Sequence, residues 1–181
     1  GPQAFALDPD SDFTFSEVCT VTVAAANVAD QDGTADNMAA DYVFDFTTSA
    51  QPFGVCGDPA TFIHDVQGTG ATSPINGATG VILEGIVIGD YQAAGQFGGF
   101  HLQEEDANAD ANPATSEGIF VFNSSFAVNS GDLVRLRSTI TEFSSSGTFL
   151  TEALNLTDLI ICSSGNSVTP TVINLPVDNL S

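Results

Sequence analysis

Two loops collect carboxylates at the short intervals that a hard cation requires. Asp30, Asp32 and Asp36 share one of them, around Gly33; Glu104, Glu105, Asp106 and Asp110 share the other. Calcium takes about six to eight oxygen ligands, and clustered acids with Gly and Asn among them supply such a set. Asp30, Asp32, Asp36, Glu104, Asp106 and Asp110 are therefore the candidate metal ligands. All of them are hard oxygens, which favours calcium over a transition metal. Neither loop completes an EF-hand, so a plain solvated acidic loop competes with calcium at each. His64 and His101 fall in strand-like segments with no Cys or second His beside them. They read as packed, hydrogen-bonded side chains rather than metal ligands. The chain has no Gly-x-Ser-x-Gly elbow and no Gly-rich loop ending in lysine. With 23 acids, accidental carboxylate pairs are inevitable and do not mark acid–base chemistry. The sequence thus carries no catalytic constellation, and an enzyme is not expected.

Charge narrows the choice of partner. The 181 residues hold 23 acids and 2 bases, for a formal net charge of -21; the bases are Arg135 and Arg137, and lysine is absent. Phosphate backbones are bound by Lys and Arg in number, so nucleic acid is disfavoured. An anionic membrane surface is disfavoured for the same reason, and no apolar run reaches the length of a membrane helix. No signal-peptide pattern opens the sequence. Self-repulsion at this charge is relieved by salt or divalent cations, which fits an extracellular medium. Cys19, Cys56 and Cys162 are far apart and form no CxxC, so one disulfide and an odd thiol are expected rather than a zinc or redox site. Asn123, Asn155 and Asn179 open N-x-S/T triplets that a secretory system could glycosylate.

The elements that must position these residues are almost all strands. Period-two alternation runs through Cys19–Val23 and through Tyr42–Thr48, where Tyr42, Phe44 and Phe46 share a face. Phe5-Ala6-Leu7 reads as a short third strand, and Ser49–Gly54 as a linker. Beyond it, Thr61–Val66 reads as extended, and Gly80–Gly89 as a long apolar strand with a bulge or bend at Gly85. Phe97–Gln103, Gly118–Phe122, Asp132–Ile140, Phe149–Leu154 and Leu156–Cys162 complete the set. The alternation of Asp132–Ile140 leaves Arg135 and Arg137 on the solvent face. Most of the 14 phenylalanines fall at alternating positions that read as core. Hydrophobic residues make up 43% of the chain, enough for a packed interior. Several short strands with one long, glycine-bent member suit a small closed barrel, and the fold class is all-β.

Ordered blocks in the second segment carry a resemblance. They are Ile63-His64-Asp65-Val66-Gln67-Gly68-Thr69-Gly70, Glu84-Gly85-Ile86-Val87, Gly98-Gly99-Phe100-His101-Leu102-Gln103, Pro113–Phe122 and Gly131-Asp132-Leu133-Val134-Arg135. Over residues 59–175 this resembles the OB-fold-like accessory module of large secreted bacterial nucleases of the endonuclease/exonuclease/phosphatase type. The resemblance implies an OB-fold-like barrel that binds nucleic acid beside a catalytic domain absent from this chain. Cys19–Val23 followed by Ala39–Thr48 is similar to the C-terminal half of a bacterial Ig-like module. The organisation that follows is a partial Ig-like sandwich (1–49), a linker (50–58), an OB-fold-like barrel (59–167) and an extended C-terminal strand (168–181).

Cys56 and Cys162 bracket the barrel module, so a disulfide between them is expected, with Cys19 unpaired in the chain. About three strands in residues 1–49 cannot cover their own apolar face, since an Ig-like sandwich uses about seven. The stretch 168–178 alternates without a partner in the barrel. Val172, Ile173, Leu175 and Val177 are thus the candidate assembly residues, donated as a strand to the half-module of another copy. Head-to-tail donation propagates into a filament; an excised, monomeric fragment is the competing reading. The expected function is a non-catalytic, extracellular structural subunit that self-assembles into a homopolymer. Its alternatives are a nucleic-acid-binding accessory region of a secreted nuclease, or a calcium-dependent adhesive module.

Overall fold

The computed structural model describes residues 6, 9–30, 33–34, 36–145 and 147–170. The chain divides into two compact units, 1–52 and 53–181, and nearly all regular structure in both is β. No helix among the described residues is long and apolar enough to cross a membrane.

The first unit is a two-stranded antiparallel sheet of β1 (Val18–Val23) and β2 (Tyr42–Thr47). Val23 pairs with Tyr42, Val21 with Phe44 and Cys19 with Phe46, so one face is apolar throughout. The opposite face carries Thr20, whose hydroxyl donates to Asp45 at 2.6 Å, and Thr22. Among the described residues, Phe13 makes a ring contact onto this face, edge-on to Phe46 at 5.5 Å. Among the described residues of this unit none is buried. Cys19 is a free thiol; desolvation, then the charge of Glu17, push its pKa up. Phe5 and Leu7, which flank the expected third strand, lie outside the described residues.

The second unit is a closed barrel. Its strands are β3 (Thr79–Tyr91), β4 (Gly99–Gln103), β5 (Gly118–Phe122), β6 (Leu133–Ser145) and β7 (Thr148–Ser163), ordered β3-β4-β5-β7-β6. β6 returns to β3 to close the ring, and every pair is antiparallel except β5 with β7. Inward positions follow the pleat: Leu83 and Val87 from β3, Phe100 and Leu102 from β4, Val121 from β5, Val134, Leu136 and Ile140 from β6, Ala153 from β7.

Several local expectations change. Thr61–Val66 is not extended: residues Ile63–Gln67 form helix α1, which lays Ile63 and Val66 into the barrel core. Those apolar residues stand three apart, the spacing of one helix face, and Gly68 at φ 61 ends the turn. Gly85 is not a bulge; the register of β3 shifts near Gly80 and Ile88 instead. A Cβ at Gly85 would stand 2.6 Å from the Gln103 carbonyl oxygen, so glycine there permits the close approach of β4. The two segments expected on either side of Asn155 are one strand, β7, in which Asn155 adopts φ 54 at a bulge.

Both arginines are covered rather than solvated. Arg135 does point out of the barrel, but the segment 53–59 covers it, and it is 1% exposed. Arg137 is largely covered too and pairs with Asp158 at 3.3 Å. The ring of Phe53 lies over both guanidinium groups, at 5.8 and 5.5 Å. That covering segment is tied to β7 by the disulfide Cys56–Cys162, as expected, with an S–S distance of 2.00 Å.

Candidate functional site

Outward positions of adjacent barrel strands converge on one apolar groove of about 520 Å³. Because Phe100 and Leu102 face inward on β4, His101 faces out. It pairs with Phe120 of β5, and Phe120 pairs in turn with Glu152 of β7. Phe122 stands two residues along β5 on the same side. Phe97, in the loop between β3 and β4, closes one end; Phe143 and Leu150, opposite each other near the β6–β7 turn, close the other. Leu154 completes the lining.

Ring contacts run from Tyr91, beside the groove, through Phe97, His101 and Phe120. Tyr91 meets Phe97 at 5.5 Å and His101 at 5.7 Å, both T-shaped, and His101 meets Phe120 at 5.1 Å in a tilted arrangement. Phe97 is 69% exposed, and Phe122, Phe143 and Phe149 are each about half exposed. Most of these phenylalanines are therefore not core, which corrects the expectation from alternation. Phe97, Phe122 and Phe143 thus leave exposed apolar ring surface within one concavity. The ionisable groups of the lining are His101 and Glu152, and burial pushes the Glu152 carboxyl above its usual range. No cation lines the groove.

Within the acidic loops the described carboxylates are engaged in local hydrogen bonds. Asp30 accepts from the Asp36 backbone N–H at 3.1 Å and closes that loop on itself; Asp32 lies outside the described residues. Asp106 accepts from the N–H and hydroxyl of Thr169, at 3.0 and 2.6 Å, and those bonds hold its pKa down. Asp110 accepts from the Asn112 N–H at 2.9 Å and from the Thr115 hydroxyl, and is likewise held down, the Asn112 bond being the main cause. Glu104 turns away from both, into the protein, where it is 3% exposed and accepts from the Ile63 N–H at 2.8 Å.

What Glu104 does meet is unannounced by spacing. His64, on α1 rather than on a strand, and Glu117 each bring a ligand atom within 4.8 Å of it and of each other. His64 Nδ1 and Glu117 Oε2 are 3.1 Å apart. Burial alone would lower the His64 pKa, but the hydrogen bond and charge of Glu117, helped by Asp110 and Asp65, raise it overall. Burial raises the Glu104 carboxyl, against the Ile63 hydrogen bond and the nearby imidazole. Val172, Ile173, Leu175 and Val177 lie outside the described residues.

No family model, curated protein or solved structure matches this chain.

Proposed function

We propose that the barrel is an OB-fold-like, non-catalytic module of an extracellular protein, and that its aromatic groove holds an uncharged oligosaccharide. The position and lining of the groove carry this reading. OB barrels bind oligonucleotides and oligosaccharides on the face of their second and third strands, between the loops that join strands one to two and four to five. In strand order the corresponding elements would be β4, β5, the 92–98 loop and the β6–β7 turn; the first three supply Phe97, His101, Phe120 and Phe122 to the groove, and Phe143 and Leu150 lie near the turn, while Glu152 and Leu154 come from β7. Charge then separates the two ligand classes. Single-stranded nucleic acid needs a basic groove beside its stacking rings, and both arginines are engaged elsewhere, Arg135 with Glu84 and Arg137 with Asp158. Sugar rings offer flat C–H faces to phenylalanine, and hydroxyls to His101 and Glu152. The disulfide supports an oxidising, extracellular setting.

Titrating neutral oligosaccharides by calorimetry tests the proposal. Phe122→Ala and Phe143→Ala should each weaken binding about ten-fold, the size of one lost stacking contact. Their unfolding midpoints should hold, since both rings are half exposed. Tighter binding of single-stranded DNA than of any oligosaccharide would return the groove to the nuclease-accessory reading.

A second reading rests on the first unit, where the apolar face of Cys19, Val21, Val23, Tyr42, Phe44 and Phe46 contributes no buried residue. We propose that a strand from residues 168–178 of another copy covers it, so that the chain self-assembles. Deleting residues 168–181 should abolish assembly, read by sedimentation, and leave the barrel folded. Undiminished assembly, or a monomeric full chain, would sink this reading.

A further inference from the structure

We propose that His64, Glu104 and Glu117 form a binding site for a first-row divalent transition ion, with Zn²⁺ as its probe. This site is separate from the aromatic groove and does not depend on what the groove holds. Its three ligands come from rigid positions. His64 lies on α1, Glu104 directly follows β4, and Glu117 directly precedes β5. Backbone and side-chain bonds already lock these pieces together: Glu104 N–H donates to the Glu117 carbonyl at 2.8 Å, and Gln67 Nε2 to the Gly118 carbonyl at 2.6 Å. The Ile63 N–H, next to His64, donates to Glu104 Oε2. One ligand atom from each residue therefore falls within 4.8 Å of the others before any ion arrives.

The donor set selects the kind of ion. One imidazole nitrogen and two carboxylates suit zinc or its neighbours, and three protein ligands leave a position for water. Calcium asks for more ligands, all of them oxygen. Glu104 supplies the observation that points to a cation. It is a carboxylate withdrawn almost wholly from water, and its one side-chain hydrogen bond among the described residues uses Oε2 alone. Arg135, the buried cation of the barrel, is committed to Glu84 instead. Glu104 also borders a depression of about 260 Å³ that Glu84 and Glu105 line, an acidic approach for an ion from solvent. Around the ligands, Asp110 N–H donates to Glu117 Oε1 and orients it.

The full, oxidised chain, stripped with a chelator, is titrated with Zn²⁺, Ca²⁺ and Mg²⁺ separately, by calorimetry and by NMR of the histidine rings. The chain has only two histidines, so the readout is direct. Zn²⁺ should shift the His64 ring, leave the His101 ring in place, and bind at least about a hundred-fold tighter than Ca²⁺. His64→Gln and Glu117→Gln should each weaken Zn²⁺ about ten-fold or more. Zn²⁺ that shifts His101 instead, binds no tighter than Ca²⁺, or binds His64→Gln as well as the parent, is held by scattered surface acids and overturns the proposal. If a variant fails to fold, the ring shifts of the parent protein still decide.

Discussion

Arg135→Ala is expected to destabilise the barrel by roughly 3 to 5 kcal/mol, the cost of removing one partner from a buried ion pair. The guanidinium is 1% exposed and uses its whole fork. Nε donates to the Phe53 carbonyl at 2.7 Å, Nη1 to the Asp58 carbonyl at 2.8 Å and to Glu84 Oε2 at 2.9 Å, and Nη2 to the Pro59 carbonyl at 3.0 Å. Alanine would take the guanidinium away from a largely covered carboxylate and from three carbonyls. Lysine keeps the charge but not the planar fork, so Arg135→Lys should also destabilise, by less. Adding Glu84→Gln to Arg135→Ala should recover part of the loss, because no unpaired charge then stays behind. Urea unfolding of the set measures this. A loss below about 1 kcal/mol for Arg135→Ala, the range of an exposed pair, would mean that the segment 53–59 does not hold the guanidinium out of water.

That arginine shows where alternation stops being informative. In Val134-Arg135-Leu136 the pattern reports which residues face the barrel interior, and Val134 and Leu136 do. It cannot report that a segment some 80 residues earlier covers the other face, so the outward arginine reads as exposed. The same blindness affects Phe97, Phe122 and Phe143. Alternation assigns a phenylalanine to a face, and only closure of the sheet decides whether that face is packed or open. One signal was nonetheless present: Phe143 and Phe149 flank the glycine turn of a hairpin, where a core residue has little to pack against. In α1, Ile63 and Val66 are β-branched and the segment is short, so strand propensity concealed a helical pair three apart. The His64, Glu104 and Glu117 cluster had no legible spacing, because its members are brought together by the β4–β5 pairing and by the docking of α1. By contrast, the strand character of both units was legible from period two. The pairing of Cys56 with Cys162 was legible from their places at the two ends of the barrel module.

Replacing both cysteines, Cys56→Ser with Cys162→Ser, is expected to lower stability by roughly 4 to 5 kcal/mol on the chain-entropy account of closing so long a loop. The bridge spans a sequence separation of 106, which is nearly the whole barrel. The loss has a second, local component that the loop length does not contain. Cys56 sits within the segment whose carbonyls at Phe53, Asp58 and Pro59 receive the Arg135 guanidinium. The Gly57 N–H, next to it, donates to Glu84, the same carboxylate that pairs with Arg135. Disulfide and arginine thus hold one strap from its two sides, and either becomes less effective when the other is lost. The two lesions should therefore be non-additive: Arg135→Ala should cost less in the serine variant than in the parent, by about 1 kcal/mol or more. Hydrogen exchange supplies the independent check, since the Gly57 amide should lose protection in either variant before the β3–β6 ladder does. Strict additivity in the double-mutant cycle, with Gly57 still protected after the disulfide is removed, would show that the disulfide is not needed to hold the strap. The disulfide would then act on the unfolded chain alone.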